Sequence, residues 1–178
     1  PQVTQFIDLK MWETVAAIKQ SASASNEVTI VGTAGGQGKC TLVDLIKMNQ
    51  SNEFGLEGVD EPQAMVLIND LICVGGHHQD EAIVAIYQKD GVLLDKKNLG
   101  GAEFISKIAH TEDKIYVTGR TRTGRLIDKE DFFLRCLQWD GVELSDSWSV
   151  RCKDSEGGRE GGTALHPLPD GGVLVGGN

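Results

Sequence analysis

Positive charge is short in this chain relative to negative. Lysine and arginine number 17 against 26 aspartates and glutamates in 178 residues, a formal net charge of −9 at pH 7. That deficit argues against nucleic acid as a partner, since contact with phosphates takes a basic face. It argues equally against adsorption to an anionic membrane, and the acidity reads first as a solubility device. No apolar run approaches the roughly 20 residues of a membrane-spanning helix. No leader pattern opens the sequence, although a processed secreted form would read the same way. The four cysteines, Cys40, Cys73, Cys136 and Cys152, form no Cys-x-x-C pair and no zinc spacing. Three of them fall in or beside apolar segments, where a thiol behaves as a small hydrophobe. Reduced thiols and a cytoplasmic setting are therefore expected, with one disulfide still compatible. Gly-x-Ser-x-Gly and recognisably paired carboxylates are missing too, so the residues show no catalytic constellation.

What the chain does have is a repeat. A short apolar segment closing on glycine occurs four times: Val28 to Gly32, Leu71 to Gly76, Lys114 to Gly119 and Val173 to Gly177. Between Gly32, Gly75, Gly119 and Gly176 the spacings are 43, 44 and 57 residues. Such a period suits a supersecondary unit of several strands. The second unit shows four: Gln63 to Ile68, a turn at Asn69-Asp70, Leu71 to Gly76, Ala82 to Tyr87, an Asp-Gly hairpin at Asp90-Gly91, and a last strand from Val92. The third unit matches it through Phe104 to Ala109, Lys114 to Gly119, Phe132 to Leu137, Trp139-Asp140-Gly141 and Val142 to Val150. The first runs Val15 to Ile18, Val28 to Gly32 and Leu42 to Ile46, with its hairpin placed at Asn49 to Asn52. The last holds Thr163 to Leu168 and Val173 to Gly177. β-Branched and aromatic residues fill these segments as strands require. Small residues recur in each first strand (Ala16, Ala17, Ala64, Ala109, Ala164), which suits a crowded central channel.

These features predict an all-β fold: a β-propeller of four-stranded antiparallel blades, about four in number, or a fragment of a larger propeller. One domain is expected over 1–178, with repeats at about 13–61, 62–102, 103–161 and 162–178. Residues 1–12, with Val3 to Lys10 as a strand, are expected to complete a blade, or a second chain or self-association to complete the ring. Pro169 to Gly177 resembles the second-strand signature of bacterial propeller repeats of the delta-60 and related types. Phe132 to Arg135, through Trp139 to Val142, is similar to their third strand and hairpin. The double glycines Gly75-Gly76 and Gly176-Gly177 are similar to kelch repeats, as is Arg159 to Ala164. The resemblance implies a propeller and no single activity: kelch-like propellers mostly bind proteins, others bind glycans or serve as extracellular domains.

In such a blade the connections after strands two and four open on one face. Thr33 to Lys39, His77 to Glu81, Arg120 to Asp131, Gly55 to Glu61, Gly100-Gly101 and Arg151 to Gly162 all fall there. Function gathers on loops held by a rigid frame, so this face is expected to bind the ligand. Arg120, Arg122 and Arg125 form a basic cluster suited to a carboxylate, phosphate or sulfated sugar, unless they pair with Asp128, Glu130 and Asp131 nearby. His77, His78, Asp80 and Glu81 are metal-ligand types. Adjacent histidines on an extended chain point opposite ways, so neither a metal site nor a cofactor is expected, and the group reads as solvated loop. Trp12, Trp139 and Trp148 read as blade packing before sugar platforms. Val28 to Thr41 resembles a phosphate-binding loop ending in Gly38-Lys39, but Thr33 replaces the first glycine and Cys40 the magnesium-binding hydroxyl. The reading reached is a non-catalytic propeller binding a protein or glycan partner through its loop-rich face. The alternatives are a propeller enzyme acting on glycans or phosphoesters, or a nucleotide binder using residues 32–41 with Lys39.

Overall fold

A computed structural model describes residues 12–22, 26–47, 49–100, 103–122, 130–152 and 161–177. The first sheet holds β1 (Thr14–Gln20), β2 (Glu27–Ala34), β3 (Gln37–Asp44) and β4 (Asn49–Gly55). The second holds β5 (Glu61–Ile68), β6 (Leu71–His78), β7 (Glu81–Gln88) and β8 (Leu93–Gly100). The third holds β9 (Glu103–Thr111), β10 (Lys114–Arg122), β11 (Glu130–Trp139) and β12 (Leu144–Cys152). β13 (Gly162–Pro167) and β14 (Val173–Gly177) form a two-stranded sheet. In every sheet the strand order follows the chain, and neighbours are antiparallel. The first strands are the ones that meet between sheets: β1 beside β5, β5 beside β9, β9 beside β13. Sheets joined by their innermost strands are the blades of a β-propeller, as the repeat predicts. Among the described residues no helix is long and apolar enough to cross a membrane.

The core lies between blades. Val31, Cys40, Leu42, Leu56 and Val59 of the first meet Met65, Ile72, Val74, Ile83 and Tyr87 of the second. On its other face the second blade sets Ala64, Ile68, Cys73, Val84 and Ile86 against Ile105, Ile108, Ile115, Val117, Phe133 and Leu137 of the third. A sheet covered on both sides cannot alternate apolar with polar residues. That is why β6 and β7 read as nearly continuous apolar runs, buried along almost their whole length. Burying each such side chain stabilises by about 1.5–3 kcal/mol. The fourth strands carry the polar sequence because they form the rim; β12 is exposed at every position after Leu144.

The repeated glycine has a local cause. Each first strand is irregular opposite one second-strand glycine, with the register shifting at Val15/Ala17, at Pro62/Ala64, opposite Thr118/Gly119 and at Gly162/Ala164. The irregularity drives a backbone carbonyl over the neighbouring strand. A β-carbon on Gly32, Gly76, Gly119 or Gly177 would overlap the carbonyl oxygen of Thr14, Glu61, Phe104 or Gly161, respectively. The structural equivalents in the second and fourth blades are thus the second members of the double glycines, one residue beyond the sequence alignment. Gly75 is required for another reason, because Ile105 and Ile108 of the next blade occupy the space a side chain would take.

The Asp-Gly hairpins form where expected: Asp90 accepts the backbone N–H two residues on, and Asp140 those two and three residues on. The N–H of Glu143, followed by that of Val142, holds the Asp140 carboxyl below the usual range. In the first blade the hairpin comes earlier than predicted. Asp44 Oδ1 accepts the N–H groups of Ile46 and Lys47 at 2.9 and 3.0 Å, and Asn49 already begins β4. All four cysteines are free, and only Cys152 is exposed. Burial pushes the Cys40 and Cys73 thiols up to about 12.

Two outcomes are expected. Gly119→Ala, which sets a methyl against backbone that cannot swing aside, lowers the unfolding free energy in urea by about 2 kcal/mol or more. Gly35→Ala, in a turn with open space around it, costs only about 1 kcal/mol for its positive φ. Equal losses would contradict the carbonyl clash. A thiol reagent at pH 8 titrates one cysteine quickly, and Cys152→Ser removes that reaction.

Candidate functional site

Of the described connections after strands two and four, two are tighter than a loop. Gly35-Gly36 and Gln79-Asp80 are two-residue turns with positive φ at both positions, the geometry that matches strand twist in a hairpin. Their flanks are ladder: Thr33 pairs with Gly38, and His77 with Ala82. A cleft of about 670 Å³ opens beside these turns, lined by Gly36, Asp60, Glu61, His77, Gln79, Asp80 and Phe104. It therefore draws on the first three blades at once. Its described side chains supply three carboxylates, an amide, an imidazole edge and one aromatic ring.

His77 is not the solvated loop residue expected. It is buried within β6. Its Nε2 lies 2.8 Å from the Glu103 carbonyl, and Gln63 Nε2 lies 3.2 Å from its Nδ1. Since a carbonyl only accepts, Nε2 donates and Nδ1 receives the Gln63 N–H. The imidazole meets the Phe104 ring edge-on, centroids 4.9 Å apart. His78 turns the other way, as the alternation of an extended chain dictates. Its Nδ1 lies 2.8 Å from Asp60 Oδ2, an ion-pair approach without the alignment of a hydrogen bond. Asp80 is exposed at the turn and borders the cleft. Among the described residues no three His, Cys, Asp or Glu side chains are placed to hold a metal ion.

Arg120 lies in β10 with its guanidinium 5.2 Å from the centre of the Phe104 ring, so it reaches the cleft's edge through that ring. Arg122 ends β10, paired in the ladder with Glu130; Arg125 and Asp128 lie outside the described residues, as does the Val3 to Lys10 segment. Lys39 stands apart from the cleft. It belongs to β3, 2.6 Å from Glu53 Oε1 and 5.6 Å from the Trp12 ring centre. A phosphate-binding loop needs a helix after its lysine, and here the segment Gln37–Asp44 is a strand.

Sequence reasoning missed the residue behind the cleft, Glu103. Its side chain is 1% exposed, and Oε1 accepts from Arg135 Nη2 and Arg151 Nη2, both at 2.9 Å. Arg135 also donates to the Leu99 carbonyl at 2.8 Å. Asp146 lies 3.7 Å from Arg135 and 2.9 Å from Lys97 on the rim. The side chain of Glu103 thus ties β9 to β11 and β12 within the third blade, while its carbonyl, and the Arg135 bond to Leu99, reach across to the second. No spacing signals this, since the partners are 26 to 48 residues away.

Neither protein-family models nor curated protein sequences match this chain. Solved structures resemble its fold. A chain from Kuenenia stuttgartiensis hydrazine synthase superposes with a TM-score of 0.69 at 11% identity, over 89% of this chain and 48% of that one. The β-propeller domain of the trilobed protease from Pyrococcus furiosus, which has an open velcro topology, gives 0.48 at 15% identity, over 92% and 49%. At such identities the likeness concerns fold alone, and this chain spans about half the length of each.

Removing the buried anion tests the frame around the cleft. Glu103→Ala leaves the Arg135 guanidinium without its carboxylate, and a loss of about 3–5 kcal/mol is expected in urea unfolding. A loss under about 1 kcal/mol would show that the arginines do not depend on it.

Proposed function

We propose that this chain is a non-catalytic binding module that holds a protein or glycan in the loop-face cleft. The observation that carries the reading is the cleft itself, placed where three blades converge and lined by Asp60, Glu61, Asp80, Gln79 and Phe104. Carboxylates and an amide oxygen accept hydrogen bonds, so this lining favours a ligand rich in donors, either sugar hydroxyls or lysine and arginine side chains. It disfavours the phosphate or sulfate that the arginine cluster alone suggests. His77, the imidazole nearest the cleft, has both ring nitrogens engaged structurally, which supports binding over acid–base catalysis. The double glycines keep a kelch-like affiliation as part of this proposal. Completion of the propeller by a second chain or by self-association is a further part of this proposal.

The test is a binding screen against neutral oligosaccharides and lysine- or arginine-rich peptides, with a sulfated glycan as the comparison. A neutral or cationic ligand should bind, and Asp80→Asn together with Phe104→Ala should weaken it at least tenfold while leaving the unfolding midpoint within a few degrees. Preference for the sulfated glycan, or affinity unchanged in the double variant, would refute the assignment to this cleft. Turnover of a bound glycan would refute the non-catalytic reading.

A further inference from the structure

One row of side-chain oxygens near the cleft is left without hydrogen bonds by the contacts described so far. In the ladder of the third blade, Thr121 of β10 stands opposite Glu103 of β9 on one side and Asp131 of β11 on the other. Residues directly opposite in a sheet point to the same face. Here that face is the one turned to the second blade, because Val117, Ile115, Phe133 and Ile105 of the same strands pack there. Glu103 is 1%, Thr121 0% and Asp131 9% exposed. Glu103 Oε2, Thr121 Oγ1 and Asp131 Oδ2 are all shielded from solvent and lack hydrogen bonds. Thr121 carries a proton and stands between two carboxylates, yet donates to neither. The three oxygens are therefore not arranged to satisfy one another. Buried polar atoms in native proteins find partners, and a carboxylate in an apolar setting is costly without one.

The chemistry of the missing partner follows from the donor set and the charge. Three oxygens, two of them carboxylate, form a hard set of the kind that suits oxygen-seeking cations. Among the described groups largely removed from water, Glu103 and Asp131 contribute −2 and Arg135 contributes +1. Arg151, Asp146 and Lys97 have side chains 48%, 52% and 31% exposed, so solvent and salt screen them. The buried sum is −1. We propose that Glu103 Oε2, Thr121 Oγ1 and Asp131 Oδ2 bind a hard monovalent cation of the sodium class, which ties the loop-face ends of β9, β10 and β11 together beside Phe104 and Arg120. A divalent ion leaves the buried set overcharged, next to two guanidinium groups.

The experiment is thermal unfolding of the full chain in sodium, potassium and choline chloride at matched ionic strength, and in choline chloride with added calcium. At tenfold saturation the sodium midpoint is expected to exceed the choline midpoint by about 4 °C. Asp131→Asn and Thr121→Val, both close in shape to the native residues, should erase that difference. Sodium nuclear resonance on the native chain provides a measurement independent of variant folding: the line broadens with protein and narrows again when potassium competes. Equal midpoints in sodium and choline with an unbroadened line would mean that water alone serves these oxygens, which overturns the proposal. So would a sodium effect unchanged in both variants, or stabilisation by calcium without sodium.

Discussion

Everything in this fold is arranged around four carbonyl oxygens, those of Thr14, Glu61, Phe104 and Gly161, each standing where a neighbouring residue's β-carbon would be. The carbonyl is there because the innermost strand of every blade carries a register shift at that point. The shift bends the strand, and the bend lets inner strands of successive blades run side by side around a channel. Only glycine tolerates the resulting approach. The chain therefore repeats glycine for a steric reason internal to each blade, and no ligand is needed to explain it. The second blade shows the next level of dependence. Gly75 gives up its side chain so that Ile105 and Ile108 can reach across, and both faces of β6 and β7 become interior.

Polar groups at the loop end of the second and third blades meet around Glu103. A fully buried carboxylate is a poor source of net stability but a strict one, since losing either side of the pair strands a charge. It fixes Arg135 and Arg151 on one side while its own carbonyl orients His77 on the other. The consequence for the cleft is rigidity: Phe104, between the Arg120 guanidinium and the His77 edge, has little freedom to turn. A site that presents a fixed ring beside exposed carboxylates is preorganised, which lowers the ordering cost of binding.

The strands were legible because their cause is local. β-Branched and aromatic runs that close on glycine mark them, and Asp-Gly marks the hairpins at Asp90 and Asp140. The first hairpin was misread because Asn49 to Asn52 is polar and turn-like in composition. The turn is set by the Asp44 side chain, which captures two N–H groups just beyond the strand. His77 and His78 read as loop for the same compositional reason. What buries His77 is the Glu103 carbonyl of another blade, a partner no local pattern contains. The same holds for Phe104, whose place in the cleft depends on how β9 enters beside β6. Arg120 stands out in the sequence for its charge, and the ring of Phe104 beside it comes from another strand, where no local pattern shows it. Lys39 matched a motif whose essential feature, the helix that follows, is replaced by β3.

The sheet order carries a consequence for how the chain is made. Every strand pairs with the one before it, so each blade closes its ladder within its own stretch of sequence and local contacts can form as the polypeptide emerges. The buried polar cluster inside the third blade obeys a different clock. Glu103 appears early in its blade, Arg135 two strands later, and Arg151 at the far end of β12. During synthesis the carboxylate must wait, hydrated, until the rim strand arrives, and only then can water be expelled from beneath the cleft. Assembly of the cleft is thus timed to the completion of a blade, not to the appearance of the residues that line it.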